Sequence, residues 1–347
     1  MKSIKEISFN GKKVFIRVDF NVPFNDNGEI TDNSRIVAAI PTINYVLLNG
    51  GSCILASHLG RPKGKTEKFS LIKLLPELKR LLEIDVAFSD NCIGDQTKEA
   101  CHNLNNGEVL LLENLRFYKE ETTADIGFAK ELSSLADVYI NDAYGTTHRE
   151  HASTATIAKF FTEKCSGLLL EKEINSLKTL MYNPKQPVTA IIGGAKVSSK
   201  ISVIANTLSF VDNLIIGGGM AYTFIKNNGG RIGDSIFESD RLRDCSEILS
   251  KAKQKNVKVF LPEDVLCSNE FSDDGLKKVT DIYEVPEGWQ GLDIGPKSTE
   301  KFEQAIQASS TILWNGPMGV FEIPSFEKGT CVVAKTVAKA TQNGAYS

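Results

Sequence analysis

The chain has 347 residues, of which 41% are apolar and 24% are charged. These fractions are those of an ordinary globular protein and exclude an extended disordered chain, while the length exceeds what one hydrophobic core supports and favours two domains. The net charge of −3 excludes a general electrostatic attraction to nucleic acid or to anionic membranes, so neither is expected as a partner.

Cysteine usage and the N-terminal sequence indicate the compartment. Seven cysteines are scattered along the chain without a CxxC pair, as expected in a reducing environment. The N-terminal sequence MKSIKEISFNGKK lacks the uninterrupted apolar segment of a signal peptide, and no run approaches the roughly 18 to 20 apolar residues that span a bilayer. We therefore expect a cytoplasmic protein.

In the first half, four short apolar runs rich in β-branched residues each end in a polar turn. They cover residues 14–23, 53–64, 108–117 and 137–149. Apolar residues at helical spacing separate them, within residues 33–51, 71–83 and 122–136. This alternation predicts parallel strands that are buried on both faces of a sheet. The first half is therefore expected to be a doubly wound α/β domain.

Residues 166–181 form a further helical pattern, and two prolines follow it in YNPKQP. Beyond this point the alternation restarts, with strands predicted within residues 188–196, 213–221, 257–264 and 311–322. The chain is therefore expected to form two doubly wound parallel-sheet domains joined by a helix. The predicted limits are 1–166 for the first domain, 167–183 for the helix and 184–347 for the second domain.

Polar residues follow the predicted strands of the first half at the points where those strands end. In open α/β sheets ligands bind outside the carboxyl ends of the strands, so these side chains are expected to converge. They are Asp19, Asn21, His58, Arg61, Arg116 and Arg149. Arginines that face one crevice repel one another unless an anion lies between them, and guanidinium groups suit phosphate and carboxylate. The sequence thus predicts a site for a small polyanion.

Two further arginines have different surroundings. Arg35 lies in the first turn of a predicted helix, where the helix dipole disfavours a cation, and this suggests a functional role. Arg17 lies within a strand rather than beyond its end, and we interpret it as structural.

In the second half the strands end in glycines instead of arginines, which predicts a different ligand. The pair Gly193-Gly194 and residues 217–219 lie between strand and helix patterns, where backbone N–H groups hold phosphate, although glycine at such a turn is about as often a steric requirement. Lys196 and Lys200 are predicted to share one helix face and to reach a phosphate. Glu322, beyond the last strand, is either solvated or accepts hydrogen bonds from a ribose.

Other phosphate and metal motifs are not met. GRPKGKT at residues 60–66 has three residues between its glycines where a Walker A loop needs four, and no GxGxxG followed by an acidic residue occurs. His148 and His151 form an HxxH pattern without a third nearby His or Cys. Solvated loop histidines are therefore favoured over a zinc site.

Eight segments taken together resemble the phosphoglycerate kinase family. They are RVDFNVP, SHLGRPKG, ENLRFYKEE, NDAYGTTHREHAST, GGAKVSSKI, IGGGMAYTF, GLDIGPKS and WNGPMGVFE. They cover nearly the whole chain in the family's order, and several are highly specific. The resemblance implies that 3-phosphoglycerate or 1,3-bisphosphoglycerate binds the first domain and that ADP or ATP with Mg²⁺ binds the second. It also implies a monomer whose domains close to exclude water from an acyl phosphate.

The same resemblance implies roles for individual residues. The substrate's phosphate and carboxylate would be held by Asp19, Asn21, Arg35, His58, Arg61, Arg116 and Arg149. Arg35 and Lys196 would face the transferring phosphoryl group as the catalytic residues, and Lys200 would hold nucleotide phosphates. The adenosine side would be formed by Gly194, Gly218, Gly219, Gly291 and Glu322.

The chain departs from the family pattern in three places. Ser199 stands where the family often has Asp, and Tyr144 stands where Phe is usual; both changes leave the implied site intact. The chain stops at Ser347, where the family continues into a GGGDS or GGGDT loop whose aspartate holds magnesium, so no metal ligand is expected within it. The implied function is reversible phosphoryl transfer between 1,3-bisphosphoglycerate and ADP. A truncated, catalytically weak fragment that binds phosphoglycerate and nucleotide is the alternative.

Overall fold

The computed structural model describes residues 2–347, which form two compact units. The first unit ends at Leu177, and the second comprises Lys178–Ser347. The helix Leu168–Tyr182 contains the point of division. Each unit is built on a parallel sheet with helices, which confirms the predicted α/β class. The domain limits of 1–166, 167–183 and 184–347 remain predictions.

Parallel strands form one sheet in the first unit. They are β1 (Lys13–Arg17), β2 (Ser52–Ala56), β3 (Val86–Ser89), β4 (Val109–Leu112), β5 (Val138–Asn141) and β6 (Glu163–Ser166), in the spatial order β3-β4-β2-β1-β5-β6. Alternate residues of β1 face opposite sides, because Val14 and Ile16 join one hydrophobic cluster and Phe15 joins the other. The central strands are therefore covered on both faces, as their apolar runs predict.

The edge strands of this sheet were not predicted. In β3 the two middle residues are exposed or half-buried, and in β6 the first two are. An edge strand that is partly open to solvent has no continuous apolar run, so the pattern that identified the central strands is missing.

Helices pack on the sheet of the first unit. They are α1 (Ser34–Leu48), α2 (Leu75–Leu82), α3 (Asp95–His102), α4 (Lys119–Thr122), α5 (Ile126–Ser133) and α6 (Leu168–Tyr182). Two predicted helices are interrupted. Residues 71–83 begin with a 3-10 helix (Leu71–Leu74), and residues 122–136 break where Ala124 takes a φ of 57°. The Asp125 side chain then accepts a hydrogen bond from the Phe128 backbone N at 2.8 Å and starts α5.

The second unit contains two main sheets. Its strands are β7 (Val188–Ile192), β8 (Asn213–Ile216), β9 (Arg231–Ile232), β10 (Lys258–Phe260), β11 (Asp264–Ser268), β12 (Lys277–Asp281), β13 (Glu284–Val285), β14 (Gln290–Ile294) and β15 (Thr311–Asn315). The parallel sheet has the order β10-β8-β7-β15, which are the four strands predicted. The helices are α7 (Ile201–Thr207), α8 (Ala221–Asn227), α9 (Leu242–Gln254), α10 (Pro296–Gln307) and α11 (Lys328–Gln342).

The antiparallel sheet β12-β11-β14 was not predicted. Strand β12 alternates exposed and half-buried residues and contains two lysines, so it has no apolar run. Strand β14 carries Gly291 at an irregularity in its pairing with β11. No helix within residues 2–347 has the length and apolar character needed to cross a membrane.

Candidate active site

Hydrogen bonds tie together the loops that follow three strands of the first sheet. The backbone N of Gly60 donates to Oδ1 of Asn21 at 2.8 Å, and Nη1 of Arg116 donates to the carbonyl O of Gly60 at 2.6 Å. These residues follow β1, β2 and β4, so their loops meet at the carboxyl ends of the strands. The structure therefore brings Asn21, Arg116 and the loop that carries His58 to one place.

A cavity of about 700 Å³ opens beside these loops. Arg61, Arg116 and Arg149 all line it, together with Lys63 and Lys119. None of the three arginines forms an ion pair with a carboxylate within residues 2–347. Burial lowers the pKa of Arg116, and the neighbouring charges of Arg149 and Arg17 lower it further. The cavity is thus electropositive and lacks an internal counter-charge, which suits an anionic ligand.

Arg35 and Asp19 form an ion pair at the same edge of the sheet. Nη1 of Arg35 donates to Oδ2 of Asp19 at 2.9 Å, and the Arg35 side chain is half exposed. Oδ1 of Asp19 lies 3.7 Å from Nδ1 of His58. Asp19 therefore orients Arg35, which keeps its remaining N–H groups available at the surface of the crevice.

Arg17 lies beneath the crevice and is fully buried, in agreement with a structural role. Its Nε donates to Oγ of Ser153 at 2.8 Å, and its Nη2 lies 3.9 Å from Oε1 of Glu121. Glu121 is also fully buried and accepts hydrogen bonds from the backbone N and from Oγ of Ser153, at 2.9 and 2.7 Å. Arg17 and Glu121, which both contact Ser153, therefore hold the loop that carries Arg149 against β1. Sequence reasoning missed Glu121, because it lies among charged residues that are typical of a solvated face.

The geometry around His58 determines which of its nitrogens carries the proton. Nη2 of Arg17 lies 3.3 Å from Nδ1 of His58, and a guanidinium can only donate. Nδ1 is therefore the acceptor, and the hydrogen sits on Nε2. Burial first, and then the charges of Arg17, Arg116, Arg149 and Arg35, lower the pKa of His58 to about 2. His58 is thus neutral, and its Nε2 is the nitrogen that can donate a hydrogen bond.

The two histidines of the HxxH pattern differ. His148 is exposed and accepts a hydrogen bond from Nε of Arg149 at 3.2 Å. The prediction that His151 is solvated is wrong, because its side chain is only 12% exposed. It lines the cavity that Arg61, Arg116 and Arg149 also line, and its Nδ1 lies 3.7 Å from Oε1 of Glu121. Within residues 2–347 no group of three or more His, Cys, Asp or Glu side chains is placed to hold a metal ion.

A second cavity of about 640 Å³ lies in the second unit. The residues predicted for the adenosine side all line it: Gly194, Gly218, Gly219, Gly291 and Glu322. Gly218 has a φ of 67°, and a Cβ atom there would lie 2.6 Å from the backbone N of Gly194. Glycine is therefore required for the two turns to approach each other, and backbone N–H groups remain close to the cavity wall.

The two lysines lie in a turn, not on a helix face as predicted. Helix α7 begins at Ile201, so Lys196 and Lys200 both precede it. The turn is held by Glu238, which accepts hydrogen bonds from the backbone N and from Oγ of Ser198 at 2.8 and 2.6 Å. Nζ of Lys200 donates to Oδ1 of Asn315, and Lys196 is exposed without an ion pair in the described part of the chain. The ammonium group of Lys200 thus lies beside Asn315, the last residue of β15.

Sequence reasoning also missed two buried residues that line the second cavity, Tyr222 and Asp293. Burial raises the pKa of Asp293 to about 6, although its carboxylate accepts hydrogen bonds from the backbone N atoms of Gly329 and Ile294 at 2.7 and 2.9 Å. The neighbouring sequence of Tyr222 and Asp293 does not predict that they line a cavity, because each reaches it only through the packing of β14 and α8.

Comparisons with known proteins agree with this arrangement. The family model described as phosphoglycerate kinase matches residues 4–347. The chloroplastic phosphoglycerate kinase 2 of Arabidopsis thaliana is 49% identical over 341 residues, which are 98% of this chain and 71% of that protein. The cytosolic phosphoglycerate kinase 3 of the same plant is 48% identical over 342 residues, which are 99% of this chain and 85% of that protein.

Solved structures are similar over the same extent. The phosphoglycerate kinase of Coxiella burnetii has a TM-score of 0.83 at 37% identity, and that of Pyrococcus horikoshii OT3 has a TM-score of 0.84 at 30% identity. Each match covers 98% of this chain and 86% of the other. Because the family model, the relatives and the structures all match nearly the whole chain, the protein belongs to the phosphoglycerate kinase family.

Proposed function

We propose that the chain catalyses reversible phosphoryl transfer between 1,3-bisphosphoglycerate and ADP, which gives 3-phosphoglycerate and ATP. The observation that carries this proposal is the pairing of two unlike cavities in one chain. One is lined by three arginines without carboxylate partners in the described residues, and the other is lined by glycine turns. A polyanionic substrate and a nucleotide are the ligands that these linings suit.

On the substrate side, the proposal gives each group a task. Arg61, Arg116 and Arg149 bind the non-transferring phosphate, because guanidinium groups bind phosphate oxygens in pairs. His58 donates from Nε2 to the carboxylate end of the substrate, and Asn21 and Asp19 orient the loop and Arg35. Arg35 then supports the transferring phosphoryl group from the first unit.

On the nucleotide side, the adenosine occupies the cavity lined by Gly194, Gly218, Gly219, Gly291 and Glu322, with the exposed Glu322 carboxylate accepting hydrogen bonds from the ribose. Lys200 binds nucleotide phosphates. Lys196, which has no ion pair within residues 2–347, is free to approach the transferring group.

In the chemical step, an oxygen of the β-phosphate of ADP attacks the phosphorus of the acyl phosphate, and the bond from phosphorus to the carboxylate oxygen breaks. The carboxylate leaves with the electron pair, and no proton is needed. Charge grows on the equatorial oxygens of the phosphoryl group, so the chain contributes fixed positive charge from Arg35 and Lys196 instead of a nucleophile. We include a hinge-bending closure of the two units in the proposal, because transfer requires the ligands to meet and water to be excluded.

We include magnesium in the proposal only as an ion that accompanies the nucleotide. No group of three or more His, Cys, Asp or Glu side chains suited to a metal occurs among residues 2–347, so these residues alone do not fit a protein-held ion. We therefore assign no step to it. A cytoplasmic monomer completes the proposal. It binds neither nucleic acid nor membrane, and this last point is supported by the net charge of −3.

A coupled assay tests the proposal against the alternative of a binding fragment. ATP and 3-phosphoglycerate are supplied with magnesium, and the formation of ADP is followed. The expected result is turnover that depends on both substrates and falls when Arg149 is replaced with alanine. The matched control is Arg80→Ala, which removes an arginine from the exposed face of α2. Calorimetric binding of both ligands without any turnover would favour the fragment.

A further inference from the structure

Asn114 is completely buried and connects the loop that follows β2 with the turn that follows β4. Its Oδ1 accepts hydrogen bonds from the backbone N atoms of Leu59 and Arg116 at 3.2 and 3.0 Å. Its Nδ2 donates to the carbonyl O atoms of Leu59 and Phe69 at 2.8 and 2.9 Å. An amide side chain has two donor hydrogens and an oxygen with two lone pairs, so Asn114 uses its full capacity to join these two segments.

The orientation of Asn114 is itself fixed by a second buried side chain, that of Glu113. Glu113 is 3% exposed, and its carboxylate accepts a hydrogen bond from the backbone N of Asn114 at 2.8 Å. The same carboxylate accepts from the backbone N of Leu71 and from Oγ of Ser70, at 2.8 and 2.7 Å. Asn114 is therefore a rigid connection, because its main chain and its side chain are both bound.

The side chain of Arg116 completes a ring of contacts. Its Nη1 donates to the carbonyl O of Gly60 at 2.6 Å, and Gly60 lies in the loop that Asn114 holds. Gly60 has a φ of 61°, and a Cβ atom there would lie 2.4 Å from the ring of Phe69, whose carbonyl O is also bound to Asn114. Arg116 is thus oriented at both ends, because Asn114 binds its backbone N and Gly60 binds its guanidinium. Arg61 directly follows Gly60, so its position depends on the same ring.

We propose that Asn114 is a positioning residue for the reaction: it fixes the guanidinium of Arg116 relative to Arg61, so that both can bind the non-transferring phosphate. This inference rests on the proposed function. An arginine that is already ordered loses less conformational entropy when the ligand binds, and the guanidinium fork binds phosphate only in a restricted geometry. Without Asn114 both arginines remain at the cavity, but their separation is no longer fixed. The loss therefore appears in the affinity for the substrate and acts through Arg116.

Double-mutant cycles distinguish positioning from a general effect on stability. Binding of 3-phosphoglycerate is measured calorimetrically for the parent and for Asn114→Ala, each alone and combined with Arg116→Lys or Arg149→Lys. Lysine keeps the charge but lacks the planar fork. Arg149 follows β5, whereas the side-chain bonds of Asn114 run to the segments after β2 and β4. Thr97→Val is the control for stability, because Thr97 is a buried, hydrogen-bonded residue of α3 that does not line this cavity.

We expect Asn114→Ala to weaken 3-phosphoglycerate binding by roughly 10- to 100-fold, the scale for losing an outer partner of a ligand-binding group, and to leave ATP binding unchanged. The substitution should have a clearly smaller effect in Arg116→Lys and the same effect, within about 2-fold, in Arg149→Lys. Asn114→Ala and Thr97→Val should both lower the melting temperature, since each leaves buried groups unpaired, but Thr97→Val should bind 3-phosphoglycerate as the parent does. If Asn114→Ala does not fold, Asn114→Ser replaces it in the same cycles. Its hydroxyl still accepts from the backbone N of Arg116 but no longer holds the loop at Leu59, so the coupling to Arg116→Lys should persist.

The outcomes separate this inference from the function on which it rests. If the parent binds 3-phosphoglycerate and the Asn114 variant binds it equally well, the role of Asn114 is overturned while the kinase proposal stands. An equal loss in the Arg116→Lys and Arg149→Lys backgrounds would also overturn it, because the effect would then not act through Arg116. The same holds if Thr97→Val loses as much affinity, since the loss would then follow from stability alone. A parent protein that fails to bind 3-phosphoglycerate would overturn both proposals.

Discussion

Replacing Arg17 with methionine tests the buried charge pair beneath the anion crevice. Arg17 and Glu121 are both fully buried, and the guanidinium lies 3.9 Å from the carboxylate while it donates to Ser153 at 2.8 Å. Methionine preserves much of the apolar volume but leaves the Glu121 charge without its nearest cation. Breaking a buried pair in this way costs about 3 to 5 kcal/mol of the free energy of unfolding. That is a large part of the roughly 5 to 15 kcal/mol available to a folded protein.

The assay must resolve the first unit, because two units need not unfold together. Hydrogen exchange followed by mass spectrometry gives the protection of β1 and of the loop at residues 149–154 separately. We expect Arg17→Met to accelerate exchange in both segments by roughly 10² to 10⁴, the factor that corresponds to about 3 to 5 kcal/mol. The double variant Arg17→Met/Glu121→Gln removes the stranded charge and should regain part of the protection. Arg80→Met is the control for loss of an exposed arginine.

Two results would refute this reasoning. The first is exchange in Arg17→Met that is as slow as in the parent, because the pair would then contribute nothing. The second is a double variant that is no better protected than Arg17→Met, because the loss would then come from packing and not from an uncompensated charge.

Three further predictions concern the anion site, the two lysines of the nucleotide site and the protonation of His58. Replacing Arg61 or Arg149 with alanine should weaken 3-phosphoglycerate binding by about 2 to 5 kcal/mol in calorimetry, and parental affinity in both variants would mean that the anion site is misplaced. Lys196→Ala should lower kcat by roughly 10² to 10³, whereas Lys200→Ala should mainly raise KM for ATP; steady-state kinetics with the reverse pattern would exchange their roles. The pKa of His58 is lowered to about 2, so the stability it contributes is present above its unfolded pKa near 6.5 and is lost as the pH falls below that value. Nitrogen NMR should therefore find Nδ1 unprotonated between pH 5 and 8, and a proton on Nδ1 in that range would contradict the assignment.

The central strands could be predicted because burial on both faces leaves a continuous apolar run in the sequence. The runs around Val14, Cys53 and Val109 are of this kind, and each lies inside the first sheet. Strand β12 and the edge strands β3 and β6 could not be predicted, since their partial exposure removes the run. The interruption at Ala124 was also missed, because a left-handed residue other than glycine has no clear sequence signal.

The sequence alone also determined where polar groups had to meet. A parallel sheet places the ends of all its strands on one edge, so Asn21, His58, Arg116 and Arg149 could be grouped before any coordinates were known. The same rule grouped Gly194 with Gly218, which line one cavity in the second unit. The functions of these residues remain proposals, but the proximity on which they depend follows from topology.

The residues that contact and support these groups could be identified only from the tertiary structure. Glu121 contacts Ser153 across 32 positions of the chain, His58 meets Arg17 across 41, and the Gly291 backbone bonds to Ser235 across 56. Local sequence patterns describe neighbours within a few residues, whereas these contacts arise when separate elements pack. The charge that compensates Arg17 and the tautomer of His58 could therefore not be predicted from the sequence, because each depends on which atoms another part of the chain places nearby.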